Sequence, residues 1–189
     1  MRQDGQRRIC VYCSSSATTD APFVEAASEL GRLIAERNYT LVYGGTTQGL
    51  MEILLQAVHK RGGDSIGVVS SELHDRGLSS TQAKKLIIAR NLRERKAIME
   101  SHADAFIALP GGFGTLDELF DVIANKMAVG HTKPIALLNT DRYYDLLLMF
   151  LSAVRTKQFA SASSDSVYGV ASHALASIAY IEDRWRSPG

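Results

Sequence analysis

Short runs of apolar and β-branched residues recur along the chain, separated by longer stretches in which apolar positions return every three or four residues. The runs are RICVYC (8–13), TLVYGG (40–45), SIGVVS (65–70), KLIIA (85–89), DAFIALP (104–110) and KPIALLN (133–139), with SVYGV (166–170) a weaker seventh. Their length and near-continuous apolarity predict strands of a parallel sheet buried on both faces. Helical spacing predicts helices over 20–37, 50–60, 92–102, 115–129, 142–156 and 172–184. In the first of these, Phe23, Ala27, Leu30 and Ile34 form one buried stripe behind an Asp and a Pro at the start. Strand and helix alternate throughout, so the expected fold is α/β: a Rossmann-like, doubly wound parallel sheet of six to seven strands with helices on both faces.

The 189 residues suit a single domain with a sizeable core. No repeat or low-complexity tract interrupts it; residues 157–166 are the loosest connection, and residues 1–6 and 187–189 are expected to fray. Hydrophobic residues make up 46% and charged residues 22%, as in ordinary soluble globular proteins. With a net charge of +1, no global pull toward nucleic acid or membrane exists, and any anion site must be local. The longest aliphatic cluster, 143–151, is far below the ~20 residues of a membrane span. The polar start is followed by an apolar run too short for a signal peptide, so a cytoplasmic protein is expected.

Cys10 and Cys13 superficially match a redox or metal pair, but three positions apart on a strand they face opposite ways. They read as two core cysteines. His59, His74, His102, His131 and His173 lack the spacing of a ligand set, and no metal site is expected.

In a doubly wound sheet, ligands bind beyond the carboxyl ends of the strands. Those positions carry CSSSAT, GGTTQG, RNLRERK and PGGFGT. Neither glycine turn is a dinucleotide fingerprint: Thr46 breaks the spacing in the first and Asp117 in the second, and neither is a Walker loop. Both open a helix, whose free amides and dipole suit a phosphate, although ordinary tight turns look the same. RNLRERK supplies Arg90, Arg93, Arg95 and Lys96, and with a helix from 92 Arg95 and Lys96 lie in its first turn, where the dipole disfavours cations. A bound anion or a solvated basic face explains them; a nucleic-acid patch lacks its aromatics. Thr115-Leu-Asp-Glu118 fits a capping box, and Glu118 equally fits a carboxylate acting at a sugar's anomeric carbon.

PGGFGTLDE resembles the PGGxGTxxE signature of the LONELY GUY (LOG) proteins, many of which carry a "lysine decarboxylase" label. ICVYCSSS, LVYGGTTQGLM, RERKAIM and KPIALLNTDRYYDLLLMFL are similar to further family segments in the same order. The resemblance implies a Rossmann-like, usually dimeric hydrolase. Such an enzyme cleaves the N-glycosidic bond of a nucleoside 5'-monophosphate to free base and ribose 5-phosphate, with no metal or redox cofactor. By position, Arg95 and Glu118 fall on the catalytic pair. Lys96, Gly111, Gly112, Gly114 and Thr115 fall on phosphate and ribose contacts, with Ser15, Gly44, Gly45, Thr46 and Leu92 as further substrate-binding positions. Departures occur at Thr46, Gln48, Glu52, Asn91-Leu92-Arg93, Ala124-Asn125 and Met127. They leave the base open among isopentenyl-adenine, adenine and others. A molybdenum-cofactor-carrier-like protein that holds a phosphorylated ligand uncleaved is the alternative. Amino-acid decarboxylation has little support, since it ordinarily needs a pyridoxal-type electron sink and nothing in the sequence announces its lysine.

Overall fold

The structure, a computed structural model, describes residues 5–17, 20–160 and 167–186. Its strands are β1 (Arg8–Tyr12), β2 (Thr40–Tyr43), β3 (Ser65–Ser70), β4 (Lys85–Ala89), β5 (Ala105–Ala108), β6 (Ile135–Leu138) and β7 (Gly169–Ala171). They form one parallel sheet in the order β4-β3-β2-β1-β5-β6-β7. From β1 the chain winds outward to β4, crosses back to β5 and winds outward again to β7. The strand order therefore reverses between β1 and β5, where Tyr12 pairs with Ala108, and a crevice opens beyond their carboxyl ends.

The helices are α1 (Ala21–Glu36), α2 (Gly49–His59), α3 (Ser71–Asp75), α4 (Leu92–His102), α5 (Phe113–Val129), α6 (Asp145–Thr156) and α7 (Ala174–Arg186). On one face of the sheet α1, α2 and α7 bury Ala27, Leu30, Ile34, Leu54 and Ile178 against Ile9, Val11, Leu41 and Tyr43. On the other, α4 and α5 supply Met99, Leu119 and Val122, and Tyr144 with Leu147 and Leu148 comes from the α6 region. The alternation of side chains along a strand produces this division. It places Cys10 in one cluster and Cys13 in the other, both free and buried, as the strand reading requires. Among the described residues no helix is long and apolar enough to cross a membrane.

Several details differ from the pattern-based expectation. The five-residue α3, too short to show a period, is not among the helices that spacing predicts. The helix expected from 142 begins at Asp145, because Asp141 and Arg142 turn left-handed (φ 49° and 59°) and Asn139 Oδ1 accepts from the Tyr144 amide. Gln6 is not frayed: its side chain bridges Asn38 and the Thr40 hydroxyl. Residues 1–4 and 187–189, and 161–166 of the loose connection, lie outside the described residues. The apolar face of α2 (Leu50, Met51, Leu54, Leu55 and Val58) is a core face packed on α1 and the sheet.

Candidate active site

Three turns meet above β1, β2 and β5. The serine turn after β1 is stitched to the other two by backbone bonds: Ser14 N–H donates to Pro110 O at 3.3 Å, and Leu50 N–H donates to Ser14 O at 3.0 Å. Ser14 Oγ accepts from Ser16 N–H at 3.0 Å, closing the turn on itself. Between these turns lies a cavity of about 410 Å³, large enough for a small organic ligand. Cys13 and Ser14 to Ser16 line one side, Thr46, Met51 and Leu73 a second, and Gly112 to Thr115 a third, with Arg95 and Glu118 also in its wall.

Gly111 makes the third side possible. A Cβ there would collide with the Thr115 hydroxyl and lie 2.9 Å from the Ser14 nitrogen. Without it, Thr115 and the serine turn close on the bare backbone, and α5 starts at Phe113 with Gly112 as its N-cap and no side-chain cap. The amides of Phe113, Gly114 and Thr115 therefore precede the first intrahelical bond and have no partner within the helix. That start lies two residues before the expected one, so the Thr115–Glu118 capping box does not form. Glu118, at the sixth helical position, reaches across to α4 instead. The box-like arrangement occurs at α4, where Asn91 Oδ1 accepts from Glu94 N–H at 2.9 Å and the Glu94 carboxylate accepts from Arg90 N–H at 2.5 Å.

Arg95 and Glu118 form a buried ion pair. Nη1 of Arg95 donates to Oε1 of Glu118 at 2.5 Å, with the side chains 8% and 6% exposed. Nε donates to Val68 O at 2.9 Å and Nη2 to Gly44 O at 3.2 Å, so one guanidinium ties β3, the turn after β2 and α5 together. The anion expected beside the basic start of α4 is thus partly internal. Burial pushes the Glu118 carboxyl above its usual range, and the attraction of Arg95 offsets this only in part. Burial also holds the Cys10 and Cys13 thiols far above theirs, so neither offers a thiolate at neutral pH.

Of the residues singled out in the sequence, Ser15, Thr46, Arg95, Gly112, Gly114, Thr115 and Glu118 line the cavity. Gly44 and Gly45 lie behind it: Gly44 O receives Arg95, and Gly45 O receives Ser80 N–H at 2.7 Å, while a Cβ on Gly45 would press on the Val68 backbone. That turn is occupied by the segment after α3 and is no open cradle. Leu92 is 54% exposed at the first position of α4, away from the cavity lining. Lys96 is also absent from the lining; its ammonium bridges Asp117 at 2.9 Å and Asp121 at 3.1 Å. Burial lowers its pKa, but these two carboxylates outweigh that and hold it above the ordinary value.

Met51 and Leu73 line the cavity without a signal in the sequence, since one reads as an ordinary core position of α2 and the other arrives on the short α3.

The chain matches the family model described as "Possible lysine decarboxylase" over residues 51–181. It is 42% identical over 158 residues to Cytokinin riboside 5'-monophosphate phosphoribohydrolase LOG2 of Arabidopsis thaliana, covering 84% of this chain and 74% of that one. It is 40% identical over 177 residues to LOG1 of the same plant, covering 94% and 83%. The chain belongs to the LOG family. Among solved structures, this LOG-family fold superposes on the molybdenum cofactor binding protein of Rippkaea orientalis with a TM-score of 0.73 at 27% identity, covering 94% of this chain and 96% of that one. The molybdenum cofactor carrier protein of Chlamydomonas reinhardtii, at 20% identity and TM-score 0.70, shares the fold.

Proposed function

We propose that the protein hydrolyses the N-glycosidic bond of a nucleoside 5'-monophosphate, a cytokinin riboside 5'-monophosphate or AMP, giving free base and ribose 5-phosphate. The observation that carries this reading is a buried carboxylate, Glu118, in the wall of a cavity whose rim is the open amino end of the same helix. A phosphate on the amides of Phe113 to Thr115, aided by the Ser15 and Thr115 hydroxyls, leaves the ribose to reach inward toward Glu118. The C1'–N bond breaks heterolytically and its electron pair departs with the base, which takes up a proton. The oxocarbenium-like carbon left behind is stabilised by the carboxylate; water adds to it and gives a proton to Glu118. Glu118 returns that proton to solvent in exchange for the one the base has taken up, so that one water is consumed and the carboxylate is restored. Arg95 fixes the carboxylate's direction. The base lies toward Met51, Leu73 and the 93% exposed ring of Phe113.

Incubation with a panel of 5'-monophosphates including AMP and isopentenyl-AMP tests this directly, with release of free base expected from at least one. The fold shared with a cofactor-binding protein at 27% identity favours a second reading, a carrier that keeps its phosphorylated ligand intact. Retention of an uncleaved ligand with no base released from any of the panel would favour the carrier.

We also propose a homodimer, formed through exposed apolar side chains of α5 and α6, two helices that pack on the same face of the sheet. No side chain of α6 is fully buried; Leu146, Met149 and Phe150 are 80%, 69% and 64% exposed, and Phe120 and Met127 of α5 are exposed as well. Large apolar side chains exposed in this number are what a contact between subunits would cover. Leu146→Glu with Met149→Glu is expected to convert a dimer to a folded monomer in sedimentation velocity, and a wild-type monomer would overturn the assignment.

A further inference from the structure

The segment between β6 and α6 does more than connect them. Its two left-handed residues, Asp141 and Arg142, carry strain that is unusual for non-glycine residues. Asn139 holds the turn, accepting from Tyr144 N–H at 2.7 Å and donating to Asp145 at 2.8 Å. The result is a pair of tyrosines directed at the turn after β5. Tyr144 Oη donates to Leu109 O at 2.6 Å, and Tyr143 Oη donates to Gly111 O at 2.8 Å.

These two bonds differ in consequence. Leu109 O belongs to a peptide whose nitrogen is that of Pro110, which has no N–H to aim, and Tyr144 is a core residue, 1% exposed. Gly111 O belongs to the peptide whose N–H is that of Gly112, a cavity-lining residue. In a trans peptide the C=O and N–H point in opposite directions, and the structure contains no cis peptide among the described residues. Holding the carbonyl on one side therefore turns the Gly112 N–H to the other. A donor on the carbonyl also polarises the peptide and strengthens its N–H.

We propose that Tyr143 is a positioning residue for phosphate: its hydroxyl orients the Gly111–Gly112 peptide so that the Gly112 N–H joins the amides of Phe113 to Thr115 on the anion. This rests on the phosphoribohydrolase reading above. The ring of Tyr143 is kept by edge contacts to Phe23 (5.7 Å) and Tyr144 (5.1 Å) that do not involve the hydroxyl. Tyr143→Phe thus removes the bond and leaves the packing, and the side chain is 45% exposed, so the fold depends little on it.

The test compares wild type with Tyr143→Phe in calorimetric binding of ribose 5-phosphate, inhibition by adenosine, AMP kinetics and melting. The expected result is ribose 5-phosphate affinity weakened about three- to tenfold, a matching rise in KM for AMP with kcat unchanged, and no change in adenosine inhibition or Tm. Unchanged ribose 5-phosphate affinity, or equal weakening of adenosine, overturns the role of Tyr143 while the reaction stands. A wild-type protein that binds no ribose 5-phosphate overturns the phosphate site itself, and this inference with it.

Discussion

Glu118→Gln is expected to lower turnover of a nucleoside 5'-monophosphate by about 10²- to 10⁴-fold, the range for removing a positioned acid-base group. Glutamine keeps the shape and an acceptor for Arg95 Nη1 but has no charge to set against an oxocarbenium-like carbon. Because Glu118 is the sixth residue of α5 and caps nothing, the substitution removes no cap. It does remove the counterion of a buried guanidinium. Val68 O and Gly44 O still receive Arg95, so the cost is about 1–3 kcal/mol. Glu118→Ala, which leaves the charge without that partner, should cost about 3–5 kcal/mol.

The pH dependence has a defined sign. Burial raises the folded-state pKa of Glu118, so the native state favours its neutral form. That contribution to stability is fully present below the unfolded value of about 4.3 and is lost as pH rises through the raised folded value. Across that window the wild type should lose stability relative to Glu118→Gln, which has no such proton to release. Activity is expected to run the other way, because the proposed mechanism uses the ionised carboxylate. The acidic limb of kcat/KM should lie above the ordinary carboxylate range. Turnover that survives in Glu118→Gln would reduce the residue to a structural partner of Arg95.

Gly49→Ala is the substitution expected to damage the fold most. Gly49 begins α2 at φ 60°, and a Cβ there would strike the carbonyl oxygen of Ser16 and lie 2.7 Å from the Ser15 carbonyl carbon and 2.9 Å from Ser14 O. All three are backbone atoms, so no side-chain rotation relieves the overlap. The expected loss is about 3 kcal/mol or more, a fall in Tm of roughly 6–12 °C for a chain of this size. Activity should fall with it, since the serine turn forms one side of the cavity. Gly62→Ala is the control: its φ of 71° imposes a similar conformational strain, but its Cβ would meet nothing within 4 Å. Equal losses for the two would mean that left-handed strain, not the close approach of the turns, explains the effect.

What the order of residues determined by itself is the α/β architecture and the sheet edge at which the candidate site lies. Strands such as FIA in β5 and VY in β2 are apolar on both faces, and α1 carries a stripe at helical spacing. Both signals are local, because the alternation of a strand and the pitch of a helix are properties of neighbouring residues. Glycines and hydroxyls gathered after β1, β2 and β5 marked one sheet edge for the same reason. Tertiary structure alone decided which of these groups line the cavity. Glu118 satisfies a capping pattern equally well on paper, and its choice of Arg95, 23 positions away, follows from the burial of both charges together. Gly44 and Gly45 resemble a phosphate cradle until the segment after α3 packs on them, and Tyr143 matters only because a left-handed turn delivers its hydroxyl to Gly111. Periodicity is set by nearest neighbours, whereas the partner of a buried polar group is selected by whatever long-range packing removes its water.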